Sequence, residues 1–112
     1  MQRGDVFDAR LSPSEGSEQA GTRPVVIVSR NAINQYGSVV VVVPLTDAAN
    51  IKRIYPGHVL VEHPEGGLAL DSMVLTGQVR AIAKSRLIRQ RGSVSQATLD
   101  RIDDALRITL DL

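Results

Sequence analysis

The sequence predicts an α+β domain, a compact and partly open β-barrel of about six short strands with a C-terminal amphipathic helix. Three observations predict it. Val25–Val28 and Val39–Leu45 are dense in β-branched residues and bounded by turn residues, the look of strands covered on both faces. No segment before Ser93 is long enough to be a crossover helix, which disfavours parallel βαβ units. Beyond it, Leu99, Ile102, Leu106 and Leu110 recur at helical spacing behind Ser93-Val-Ser-Gln96, which has capping-box spacing. A two-layer α/β sandwich is the second architecture.

The remaining elements follow in chain order. In Val6–Leu11, Phe7, Ala9 and Leu11 alternate with Asp8 and Arg10, which reads as a first strand. Ser12–Thr22 is a polar loop holding Gly16 and Gly21, with Ala20 as its apolar residue. Asn31–Tyr36 fits one helical turn, capped by Asn31 and ended by Gly37. A second polar loop, Asp47–Gly57, carries Asn50, Lys52, Arg53 and Pro56. His58–Glu62 reads as another strand, and Pro64-Glu-Gly-Gly67 as the plainest turn. Met73–Thr76 and Val79–Ala83 are two more extended pieces around Gly77. Arg80, Lys84, Arg86, Arg89 and Arg91 form a run without acidic residues, either a solvated face or a polyanion contact. With no repeat or linker, residues 1–112 read as one domain.

Composition narrows the chemistry. Of 112 residues, 43% are hydrophobic but only 3% aromatic, so the core is aliphatic and base stacking is a minor mode of recognition. The absence of cysteine excludes disulfides, zinc–thiolate sites and thiol nucleophiles, and is compatible with a reducing cytoplasm. Met1–Asp5 is polar from the start and lacks a signal-peptide apolar region. The run Val39–Val43 is far short of the roughly 20 residues a membrane helix needs. At a net charge of +1, affinity for nucleic acid must come from local patches.

Several motifs are set aside. Gly16 and Gly21 have P-loop separation, but Thr22-Arg23-Pro24 follows instead of Lys-Ser/Thr opening a helix. His58 and His63 fall on opposite faces of a strand, and Glu62 lies about 13 Å along the strand from His58. Neither pair can chelate one metal, and structural or surface roles are expected for both histidines. Arg3-Gly4-Asp5 reads as an ordinary turn. What remains is the polar loop, which presents Glu18 and Arg23 at the mouth of a buried strand. Pro24 stiffens the chain beside Arg23, as suits a guanidinium fork offered to a carboxylate or phosphate. The alternative is a solvated loop ion pair. Thr46, after Pro44 at the exposed end of the second aliphatic run, is placed either for catalysis or simply to start a turn.

Together these residues closely resemble the MazF/PemK family of toxin–antitoxin ribonucleases. The resemblance runs from Arg3-Gly-Asp-Val6 through Gly16-Ser-Glu-Gln-Ala-Gly-Thr-Arg-Pro24 and Val25-Val-Ile-Val28. It continues through Val43-Pro-Leu-Thr46, Asp71-Ser-Met-Val-Leu75 and Gln78-Val-Arg-Ala-Ile82 to the terminal helix. The glycine loop with its Arg-Pro exit is the most specific element, and Ala48–Gly67 the least. The resemblance implies an SH3-like barrel, a homodimer, and a metal-independent endoribonuclease acting on single-stranded RNA, chiefly mRNA. It implies 2′,3′-cyclic phosphate and 5′-hydroxyl ends, no cofactor, and a cognate antitoxin with a flexible acidic tail. By motif position, Arg23 and Thr46 match the family's catalytic arginine and threonine, and Glu18 its loop glutamate. Candidate RNA contacts are Ser17, Gln19, Gln78 and Arg80. The alternative is a toxin of the CcdB kind, which shares the fold and binds DNA gyrase without cutting anything.

Overall fold

Aliphatic β-branched residues set the middle of the sheet, and the polar segments fall to its rims. The structure, a computed structural model, describes residues 1–11, 15–16 and 21–112. The strands are β1 (Asp5–Arg10), β2 (Thr22–Ile27), β3 (Val39–Asp47), β4 (His58–Val61), β5 (Ser72–Leu75), β6 (Arg80–Ala83) and β7 (Leu87–Ser93). The helices are α1 (Asn31–Tyr36) and α2 (Gln96–Leu110), with short 3-10 turns between several strands. The sheet order is β4-β5-β3-β2-β1-β7 with β6 also against β3, and every pairing is antiparallel. This is the expected open barrel, not the alternative sandwich.

β3 organises the rest. Val39–Val42 pair with β6, Leu45–Asp47 pair with β5, and Val42–Pro44 pair with β2 on the other edge. Pro44 stands where β3 passes from β6 to β5, a gap that suits a residue with no N–H to donate. Both faces are covered over Val25–Val28 and Val42–Leu45, as expected, whereas Thr22, Arg23 and Val39 at the strand starts are exposed. Val26, Val28, Val43 and Leu45 join one core with Val6, Val74, Ile102 and Ala105, while Val25, Ile27, Val40 and Val42 join another with Ala9, Leu11 and Ile82. At about 25 cal/mol per Å² of apolar surface removed from water, these two layers dominate the fold's stability.

Three expectations need correction. The basic run is strand over most of its length: Arg80–Ala83 is β6, and Leu87–Ser93 pairs with β1, where Asp8 accepts hydrogen bonds from Arg89 (2.9 Å) and Arg91 (2.6 Å). The run thus has an acidic partner, 81 and 83 positions away in sequence. The cap of α2 is Ser95, whose Oγ accepts from the Thr98 amide at 3.2 Å, not Ser93. Ser93 ends β7 and donates to Asp5 instead. The carboxylate a capping box would place on the helix comes from Glu65, which accepts from the Ser95 amide at 3.0 Å. Asn31 is the first helical residue of α1 rather than its cap; its Oδ1 accepts from the Arg3 amide. Gly37 ends α1 as expected. Arg3 itself forks onto Asp103 of α2, tying the first turn of the chain to the last helix.

Candidate functional site

Pro24 and Pro44 each fix a strand beside a polar residue. β2 begins at Thr22, three residues before the aliphatic run, so Arg23 lies within the strand, exposed, and pairs in register with Ala9 of β1. On its other edge, β2 pairs Val25 with Pro44. Arg23 and Thr46 each lie two residues beyond that pair, at the same end of the two strands. Both residues line one pocket of about 180 Å³, together with Pro24, Leu45, Asp47, Leu68, Ala69, Leu70, Ser72 and Arg91.

Thr46 is not at an exposed strand end. It is 6% exposed, lies inside β3, and its Oγ1 accepts from the Asn50 amide group at 3.3 Å. Asn50 comes from the 3-10 turn Ala48–Asn50, which starts where Asp47 caps the Ala49 amide at 2.9 Å. The loop after β3 therefore folds back to hold the threonine hydroxyl in one orientation, the service a positioned hydrogen-bond donor needs. Asp47 brings a negative charge to the same pocket as two guanidinium-bearing residues.

Gln78 and Arg80, both half-buried, line a second groove of about 470 Å³ with Leu11, Pro44, Gly77, Val79 and Ala81. Adjacent residues of β3 therefore border the two hollows, Pro44 on one side and Leu45 with Thr46 on the other. Arg80 pairs in register with Val42, which puts it on the face of the sheet that also carries Pro44. Ser17, Glu18 and Gln19 lie outside the described residues. Among the described residues no group of His, Asp and Glu side chains is clustered to hold a metal. His58 accepts from the Tyr55 amide and meets the Tyr55 ring edge-on, and His63 lies 3.8 Å from Asp71.

Sequence reasoning missed Asp47, had Asn50 only as a residue of the second polar loop, and had Arg91 only as a member of the basic run, with a polyanion contact as one of two readings. Arg91 is 68 positions from Arg23 in the chain (91 less 23), and only the β1–β7 pairing brings it to the pocket. Its electrostatic setting is built in: burial alone would raise the Asp8 pKa, but hydrogen bonds from Arg91 and Arg89 outweigh it and hold the carboxyl below its ordinary range.

Comparison with known proteins bears on this geometry. Residues 2–110 match the profile of the PemK-like, MazF-like toxins of type II toxin–antitoxin systems. The chain is 41% identical to the endoribonuclease MazF of Staphylococcus epidermidis, over 100% of its own length and 92% of that protein. It is 39% identical to the endoribonuclease MazF9 of Mycobacterium tuberculosis, covering 98% of that protein. Among solved structures, a mycobacterial endoribonuclease in complex with its cognate antitoxin superposes with a TM-score of 0.83 at 29% identity, covering 100% of this chain and 96% of that one. MazF of Deinococcus radiodurans shares the fold at a TM-score of 0.84 and 23% identity. The match sets aside the gyrase-binding alternative. This chain belongs to the PemK-like, MazF-like toxin family of type II toxin–antitoxin systems.

Proposed function

We propose that this toxin is a sequence-specific endoribonuclease that cuts single-stranded RNA, chiefly mRNA, at a site built on Arg23, Thr46 and Glu18. One domain spanning residues 1–112 forms a homodimer in the cytoplasm, and a cognate antitoxin holds it in check. The observation that carries this reading is the shared pocket of Arg23 and Thr46, two residues of different strands that lie just beyond the Val25–Pro44 pair. The names of its relatives and the antitoxin-bound mycobacterial structure support the same reading.

The chemistry follows from what RNA cleavage requires. The ribose 2′-oxygen attacks its own phosphorus, the bond from phosphorus to the 5′-oxygen breaks, and a 2′,3′-cyclic phosphate and 5′-hydroxyl are left. No metal and no bound water nucleophile is needed. The phosphate must be fixed in line, its added charge neutralised, and one proton moved off the 2′-oxygen and one onto the 5′-oxygen. A guanidinium gives up its proton only above about pH 12, so it serves better as a clamp than as a base. Arg23 neutralises the phosphorane and Thr46, oriented by Asn50, donates to a phosphate oxygen. Glu18 takes the 2′-proton, a role a carboxylate suits better. Gln78 and Arg80 bind bases or phosphates of the strand as it leaves the cleavage pocket, helped by Ser17 and Gln19 of the polar loop.

Incubating the protein with a long RNA in EDTA and mapping the ends tests this. Discrete cuts bearing cyclic phosphate are expected, and intact RNA overturns the reading. In single-turnover cleavage, Arg23→Lys should lose on the order of 10²–10³ in rate, as when one preorganised donor is removed. A lysine variant as fast as the wild type would end the clamp mechanism.

A further inference from the structure

Asp8 is a buried carboxylate inside a β-strand, with its side chain 10% exposed, and it serves two guanidiniums. The proposed cleavage chemistry uses none of the three residues. Arg89 is 69% exposed and lies outside the cleavage pocket. Arg91 is different. Its side chain is 25% exposed, its Nε donates to Asp8 at 2.6 Å, its Nη1 donates to the Gly67 carbonyl at 3.3 Å, and it lines the pocket with Arg23 and Thr46.

Two anchors on one guanidinium fix its plane, and a fixed plane is what distinguishes a recognition fork from a solvated side chain. Among the described residues, Arg91 and Arg23 are the two cations that line the pocket, and Asp47 is the carboxylate beside them. An arginine meant only to neutralise Asp8 would be redundant, since Arg89 already does so from the solvent side.

We propose that Arg91, aimed by Asp8, is a second phosphate-binding residue of the cleavage pocket and grips a backbone phosphate next to the scissile one. This rests on the endoribonuclease reading. Asp8 is then a positioning residue, which touches no substrate and sets the direction of the fork. Because the Arg91 contact forms when the strand binds and does not change as the bond breaks, it lowers KM and leaves kcat nearly alone.

The test compares Arg91→Met, Arg91→Lys, Asp8→Asn and Arg89→Met with the wild type, each first checked for a cooperative thermal transition. The readouts are steady-state cleavage of a short RNA and the salt dependence of binding to its analogue, made uncleavable by a 2′-deoxy sugar at the scissile position. Arg91→Met should raise KM about 10-fold or more, as for losing a charge-assisted hydrogen bond, with kcat within about 3-fold. It should also reduce the slope of log affinity against log salt by about 0.7, one phosphate contact on a single strand. Arg91→Lys should recover the salt slope but only part of the KM, and Asp8→Asn should raise KM through the misaimed fork without changing the slope. Arg89→Met loses the same charge and the same Asp8 partner outside the pocket, so an effect equal to that of Arg91→Met would overturn the assignment. So would an unchanged KM and slope in Arg91→Met while the wild type cuts RNA normally, and in that case the endoribonuclease reading stands. A wild type that neither cuts nor binds the RNA overturns both.

Discussion

β3 and β7 are both strands of one sheet, yet they are held in place by opposite means. β3 is buried over Val42–Thr46, and its side chains feed two aliphatic cores. β7 is half or fully exposed throughout, and its tie to β1 includes two arginines converging on Asp8. The first strand is fixed by apolar area, which has no titrating group and no ion pair for salt to screen. The second is fixed in part by charge, which responds to pH and salt. The two proposals draw on both kinds, Thr46 from the apolar strand for cleavage and Arg91 from the charged one for binding.

The sharpest way to break this contrast is to truncate an aliphatic side chain on each strand. Leu45→Ala, at a fully buried position, should cost about 2–5 kcal/mol, while Ile88→Ala, 53% exposed, should stay within about 0.5 kcal/mol. Urea unfolding of both variants checks this, and equal losses would mean that β7 has a core of its own. Next in size is Asp8→Asn, which leaves two arginines without their carboxylate. It should cost about 1–3 kcal/mol by the same measurement.

Acid should act on the charged strand first. Asp8 and Glu65 both have carboxyls held below their ordinary range; in each, burial pushes upward and hydrogen bonds win, from Arg91 and Arg89 for Asp8 and from Thr98 and Ser95 for Glu65. A depressed folded pKa means the unfolded chain binds the proton more tightly. Their stabilisation is therefore complete above the unfolded values and disappears as pH falls through the folded ones, below about pH 4. Melting temperature followed from pH 7 to pH 3 should drop, and Asp8→Asn should flatten that drop. A smaller effect sharpens the picture at the helix that follows β7. Ser95→Ala removes the cap of α2 and should cost about 1 kcal/mol, or about 4 °C in melting temperature.

The same contrast explains what could be read without coordinates. β3 was legible because Val39–Val43 has no soluble alternative to burial, and α2 because Leu99, Ile102 and Leu106 repeat at its period. β7 was not, since Arg89-Gln-Arg91 looks alike as strand, loop or solvated face until Asp8 is known to lie across from it. The cap of α2 was misplaced for a related reason: Glu65 completes it from 30 positions away, so the local Ser93 spacing misled. Of the candidate site, Arg23 and Thr46 were singled out by motif resemblance, while the pocket they share emerges only from the fold. The burial of Thr46 and the hold of Asn50 on it depend on a turn that local spacing does not announce.

One consequence lies in the turn Glu65–Gly67, where an open sheet nearly shuts. Its backbone presses on that of β7 so closely that a methyl group on Gly92 would sit 2.8 Å from the Gly66 carbonyl carbon, and one on Gly67 would sit 2.1 Å from the Arg91 carbonyl oxygen. Here main chain packs against main chain, with the Arg91 guanidinium donating to the Gly67 carbonyl across the contact. Because Leu68 to Leu70 run directly from this contact into the pocket wall, a single alanine there would act as a wedge, widening the cleft at the very spot where Arg91 enters it.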